Sequence, residues 1–150
     1  VKRKIYIRKG TGTKEKFSTV QRYDSVSVSV PYQDGLSIFY FGRRKSGANG
    51  FESVPTFQNE KQSTTDIHWT DKIEGTEIDA LNYDVDTKFL DGTANFIGIL
   101  GLTGGFSGWF SNDEARVPVI SKLKVLLGSV TLELREWKRG NWFPPKINND

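Results

Sequence analysis

Polar and β-branched residues take turns along much of this chain, and that alternation restricts it to folds built from strands. Val26, Val28 and Val30 are separated by Ser25, Ser27 and Ser29, and Ile5 and Ile7 flank Tyr6 within Lys4–Lys9. A period of two puts one set of side chains on one face of a sheet, the pattern of a half-buried strand. Nothing sustains a 3.6-residue period over about twelve residues, so helices are minor. Pro31 to Gly35 supplies turn residues, and Leu36 to Phe41 reads as the next strand, giving a hairpin with a loop of about five residues.

The C-terminal third repeats the pattern. Val117, Val119, Leu123, Val125 and Leu127 share one parity, while Val130, Leu132 and Leu134 alternate with Thr131, Glu133 and Arg135. Gly128-Ser129 between them suits a type II′ turn, so a second hairpin is expected. Phe51–Phe57 and Thr65–Thr70 read as short strands around a polar loop, Gln58–Thr64. Glu77–Tyr83 fits a strand or a single helical turn, and Phe96–Leu102 fits a buried strand. About nine or ten strands, with turn signals every eight to fifteen residues or so, predict all-β architecture. The expectation is one domain over residues 1–150, an antiparallel β-sandwich or β-prism with little or no helix.

A chain of 150 residues can bury a core without disulfides or metals. It has no cysteine, which excludes thiol catalysis, zinc–cysteine sites and redox roles. The net charge is +3, unevenly spread. Residues 1–50 hold eleven Lys/Arg against three Asp/Glu, and residues 51–100 hold three against ten. Such blocks either interleave on folding or mark a nucleic-acid contact or pairing between copies.

Chemistry has few candidates. His68 is the one histidine, and no Gly-x-Ser-x-Gly elbow accompanies it. No glycine-rich phosphate loop is present, and nothing selects a pair of carboxylates for glycoside chemistry, so no enzymatic activity is expected. Asp84 to Gly92 begins like a calcium loop, but Lys88 and Phe89 stand where an oxygen ligand and a glycine are needed. A looser calcium site would use Asp84, Asp86 and Asp91; the simpler reading is a solvated acidic loop. No metal and no cofactor are expected. Two basic clusters, Lys2, Arg3, Lys4, Arg8 and Lys9 and then Arg43-Arg44-Lys45, lie near Tyr6, Phe39, Tyr40 and Phe41. Cationic grooves with stacked aromatics hold single-stranded nucleic acid, which makes this a lesser reading.

One segment points toward binding. From Gly92 to Asn112 there are twenty-one residues without a charge, and six of the fifteen glycines fall there. Its Gly, Asn, Thr and Ser content speaks against a membrane span. Glycines each cost a helix about 1 kcal/mol relative to Ala, which leaves a strand-and-loop segment. It ends in Gly105-Phe106-Ser107-Gly108-Trp109-Phe110, an aromatic pair on a glycine hinge, followed by Ser111-Asn112-Asp113.

These residues, with Phe96 to Gly101 before them and Val119 to Val125 after, resemble the binding-loop region of jacalin-related lectins over residues 96–128. The resemblance implies a β-prism of three four-stranded sheets, which binds a glycan through loops at one end. On that basis Gly105 and Gly108 would let the backbone approach a saccharide. Trp109 and Phe110 would offer apolar faces, and Asn112 or Asp113 would accept hydrogen bonds from sugar hydroxyls. Single sites of this kind are weak, so a homo-oligomer would supply avidity. A glycan-binding role favours an extracellular or particle-surface setting. The alternative is a self-assembling structural subunit, a capsid or filament protein, joined through the basic and acidic blocks.

Overall fold

The computed structural model describes residues 3–12, 17–98, 101–138 and 140–148, with side chains from Ser25 onward. Lys2 of the first basic cluster lies outside the described residues, as do Ile99 and Leu100 of the expected strand Phe96–Leu102. Two compact units divide the chain, Val1–Tyr32 and Gln33–Asp150. In the first, β1 (Arg3–Gly12) and β2 (Phe17–Val28) pair antiparallel, from Arg3 opposite Val28 to Gly12 opposite Phe17.

The second unit is an antiparallel sheet of six strands with a short helix, α1 (Ser37–Arg44). Its strands are β3 (Gly50–Gln58), β4 (Lys61–Thr76), β5 (Val85–Ala94), β6 (Leu102–Ser111), β7 (Pro118–Val125) and β8 (Gly128–Glu133). Each lies beside its neighbours in sequence, so the sheet is a meander with β3 and β8 at its edges. The all-β antiparallel class read from the alternation holds.

Leu36–Phe41 is where the expectation fails, because α1 replaces the expected strand. Aromatic and β-branched composition favours a strand, but tertiary contacts override so weak a preference. Asp34 Oδ1 accepts the backbone N–H groups of Leu36 at 2.9 Å and Ser37 at 2.7 Å, satisfying donors that an open helix end leaves orphaned. Ile38, Phe41 and Gly42 then fall on one helical face, at spacings of three and four. Two turns are too few to register as a period in the sequence.

Register corrects three further expectations. Gln58 pairs with Lys61, so Asn59-Glu60 alone make the turn, and the expected loop Gln58–Thr64 is mostly strand. Both turn residues have positive φ, 51° and 64°, as a type I′ hairpin demands. At the last hairpin Val125 pairs with Gly128, which puts Leu126-Leu127 at the tip. Gly128-Ser129 therefore open β8 rather than forming the turn. Lastly, Asp84 to Gly92 is no loop: all of it after Asp84 belongs to β5, in the interior of the sheet, with Val85 and Thr87 fully buried. Glu77–Tyr83 forms a turn, closed by Leu81 N–H on the Ile78 carbonyl at 3.2 Å.

Cross-strand pairing sets out the inner face of the sheet in rows. Trp69, Leu90, Gly108, Ser121 and Leu132 stand opposite one another in turn across β4 to β8. The adjacent row is Ile67, Gly92, Phe106, Leu123 and Val130. Residues directly opposite share a face, so this largely apolar surface runs across the five strands β4 to β8. Helix α1 seats Ile38 on Val54, Ile67, Trp69, Leu90 and Phe110, with Phe41 packed against them. Eight residues make a helix about 12 Å long. Six strands span about 24 Å at roughly 4.8 Å per gap. One short helix covers only part of such a face.

Candidate functional site

The uncovered part of that face forms a groove. Its one wall is the solvent side of α1, where Leu36, Phe39 and Tyr40 are exposed. Leu132 and Leu134 of the β8 segment face them, with Phe110 and Ser121 below, around a volume of about 520 Å³. Leu132 stays 52% exposed although Leu90, in the same row, is 4% exposed. Beneath the helix the interior is closed: the space among Ile38, Ile67, Leu90 and Phe106 amounts to about 40 Å³. Ligand-sized volume exists beside the helix and not under it.

Arg43 lines the same groove and is half-buried. Its Nη2 donates to the Ala115 carbonyl at 2.7 Å, and Arg116 Nη1 donates to the Arg44 carbonyl. Beyond this pair of contacts lies a second, polar cleft of about 610 Å³. Arg44, Lys45, Lys88 and Arg116 border it, against Asp113 and Glu114.

The glycine-aromatic segment is not a loop. Gly105 to Ser111 lie inside β6, so successive side chains point to opposite faces. Phe110 turns inward and is 7% exposed, packed with Ile38 and Leu90. Trp109 turns outward and is half-buried. Its Nε1 donates to Glu74 Oε2 at 2.9 Å, Phe89 lies 5.0 Å away between ring centres, and Lys122 Nζ sits 5.2 Å above the ring. Hydrogen bonds from Lys72 and from the Trp109 indole hold the Glu74 carboxyl below its usual pKa. Gly108 is buried, and a Cβ there would stand 2.9 Å from the Phe110 ring, while Gly105 is exposed.

Asn112 and Asp113 begin the connection to β7, and both serve the fold. Asn112 Nδ2 donates to the Asp86 carboxylate at 3.1 and 3.2 Å. Asp113 Oδ1 accepts from Ser111 Oγ at 2.7 Å and from Arg116 N–H at 3.0 Å. Its Oδ2 accepts the Trp142 indole N–H at 2.6 Å. Burial pushes the Asp113 carboxyl upward, but these bonds from Trp142, Ser111 and the backbone outweigh it, and its pKa lies below the usual aspartate value. Arg116 has a φ of 44°, a conformation this network holds.

The remaining candidates are dispersed. His68 Nδ1 lies 3.2 Å from Asp91 Oδ1 on the outer face, and Asp91 in turn pairs with Ser107 across β5 and β6. A serine nucleophile needs the imidazole beside it, whereas here the carboxylate occupies that middle place. Asp84, Asp86 and Asp91 do not converge, since among the described residues no three His, Cys, Asp or Glu could hold a metal ion together. In the second basic cluster Lys45 pairs with Glu52 and sits 4.9 Å over Phe41, so it reinforces the helix. No helix among the described residues is long and apolar enough to cross a membrane. No known protein family, curated protein or solved structure matches this chain.

The sequence reading missed the groove. Its signal was present in Leu36, Phe39 and Tyr40, but a strand reading of that segment hides the amphipathic helix they belong to.

Proposed function

We propose that this chain is a non-enzymatic binding module that holds an apolar ligand in the groove between α1 and β8. One observation carries the reading: the row that buries Trp69 and Leu90 beneath the helix continues to Leu132 with nothing over it among the described residues. Binding sites for small molecules are concave, mostly apolar and about 300–1,000 Å³ in volume, and the groove meets all three conditions. An environment-sensitive neutral dye, Nile red, tests it. Fluorescence should rise and saturate with the wild-type chain, and Phe39→Ser with Leu132→Ser should abolish the rise while the far-UV spectrum stays unchanged. A saturable signal that survives both substitutions rules the groove out.

A second reading, glycan binding, rests on Trp109. Its ring is half-buried on the outer face, with Glu74 and Lys122 as polar neighbours. An aromatic face beside fixed polar groups is what a shallow sugar site requires, although Phe110, Asn112 and Asp113 are engaged elsewhere. Trp109→Ala should abolish binding on a glycan array and leave Nile red binding intact. Self-association is a further proposal, and β8 supports it: this edge strand has no Lys or Pro to blunt it and exposes Val130 and Leu132.

A further inference from the structure

We propose that the groove takes a single-chain anionic amphiphile, a fatty carboxylate, with its chain along Phe39, Tyr40 and Leu132 and its head at Arg43. The proposal rests on the groove reading above and adds a ligand class to it. Chemistry changes abruptly at one end of the groove. Leu36, Phe39, Tyr40, Leu132 and Leu134 give way to Arg43, and across the Arg43–Ala115 and Arg116–Arg44 contacts lie Arg44, Lys45, Lys88 and Arg116. An apolar trench that ends at Arg43, with Arg44, Lys88 and Arg116 beyond it and Lys45 already paired with Glu52, complements a molecule with a hydrocarbon chain and a negative head.

The nearby acids keep their charge, but among the described residues none forms an ion pair with Arg43, whose side chain donates to the Ala115 carbonyl. Glu133 borders the groove but accepts the Asp79 N–H at 2.8 Å, and Asp113 spends its oxygens on Ser111, Arg116 and Trp142. Glu114, exposed in the polar cleft, is the one acid there whose side chain has no partner named above. The Arg43 guanidinium is a planar fork suited to a carboxylate, and its bond to Ala115 fixes its orientation before a ligand arrives. It is also half-buried at the groove's end rather than set on an open rim. A carboxylate reaches it as a separate molecule, not as one head group in a bilayer surface.

Calorimetric titration of the full chain with dodecanoate and with dodecanol, both below their aggregation limits, tests the head-group assignment. Dodecanoate should bind about tenfold tighter than dodecanol, the effect of one charge-assisted pair. Raising the salt should narrow the gap, because the cations beside Arg43 are solvent-accessible. Arg43→Gln should bring the two ligands close to parity by weakening dodecanoate more than dodecanol, and Arg43→Lys should keep part of the preference. Because Arg43 also holds Ala115, the near-UV spectrum of each variant is compared with wild type, and the salt series on the unaltered chain stands if a variant fails to fold. Equal affinity for both ligands at low salt overturns the anionic head while leaving the groove reading intact. Absence of binding by both, together with no response to Nile red, overturns the groove itself. Binding to anionic phospholipid vesicles without binding to dodecanoate overturns the fatty carboxylate in favour of a membrane surface.

Discussion

Under α1, the inner face of the sheet is dry: Val54, Ile67, Trp69 and Leu90 are each at most 4% exposed. Three strands beyond Leu90, in β8, Val130 is 41% exposed and Leu132 is 52% exposed. Both regions are apolar and lie on the same face of the sheet; the second is on the edge strand β8, and α1 does not cover it. Apolar character therefore says which face of a sheet turns inward, while the length of the covering element decides how much of that face is core. What the helix leaves open is available for a ligand.

The sharpest way to break the comparison is to truncate one residue in each region. Trp69→Ala removes a buried aromatic and the 3.2 Å hydrogen bond from its indole to the Gly42 carbonyl, which ties α1 down. Large-to-small changes of this kind cost about 3–5 kcal/mol, so urea denaturation should show a marginal or unfolded variant. Leu132→Ala in the exposed region should cost far less. Equal losses at the two positions would mean that something covers Leu132 after all.

Glycines sharpen it next. The Phe106 ring lies across Gly92, where a Cβ would stand 2.3 Å from the Asp66 carbonyl oxygen and 2.4 Å from the ring. Gly105, also in the uncharged segment, has nothing nearer than the Gly92 carbonyl at 3.9 Å. Gly92→Ala should thus lower stability by about 1–3 kcal/mol, as overpacked cores do. Gly105→Ala should leave the melting temperature nearly unchanged.

The third test concerns the connection from β6 to β7. Asp113 has a lowered pKa in the folded chain, so its contribution to stability is present above the ordinary aspartate value and lost as pH falls through the folded one. Asp113→Asn should destabilise the chain at neutral pH by roughly 1.5–3 kcal/mol, the range for hydrogen bonds to a charged group. The gap to wild type should close on acidification below the usual aspartate range. A gap independent of pH would mean that the carboxylate charge contributes nothing to this connection.

These contrasts also mark what could be read from the chain alone. The strand class was legible because alternation of single residues such as Val26, Ser27 and Val28 records a sheet face directly. Turn positions were legible to within a few residues, since Asn59-Glu60 and Leu126-Leu127 carry none of the glycine that usually marks a hairpin tip. The central strand β5 was hidden, because its acids Asp86 and Asp91 look like a loop until Asn112 and His68 answer them across the sheet. Helix α1 was hidden for a different reason: its stability comes from Trp69, Leu90 and the Asp34 cap, all supplied by contacts that a two-turn pattern cannot announce. Without the helix there is no groove to see, and the glycine-aromatic segment stands out in the sequence although the sheet absorbs it as β6.

The smallest effect on stability belongs to Leu132→Ser. A substitution at a solvent-facing edge position away from caps and buried networks usually changes stability by no more than about 0.5 kcal/mol. Its neighbours differ: Leu90→Ser in the covered part of the same row would bury an unmatched hydroxyl and open a cavity, and it should unfold readily. Leu132→Ser should instead leave the denaturation curve in place while weakening Nile red binding severalfold. Stability and binding would then separate along a single row of the sheet, with the fold held by its helix-covered half and the ligand by the half the helix does not reach. If Leu132→Ser lowers both together, the two halves form one core and the distinction between them fails.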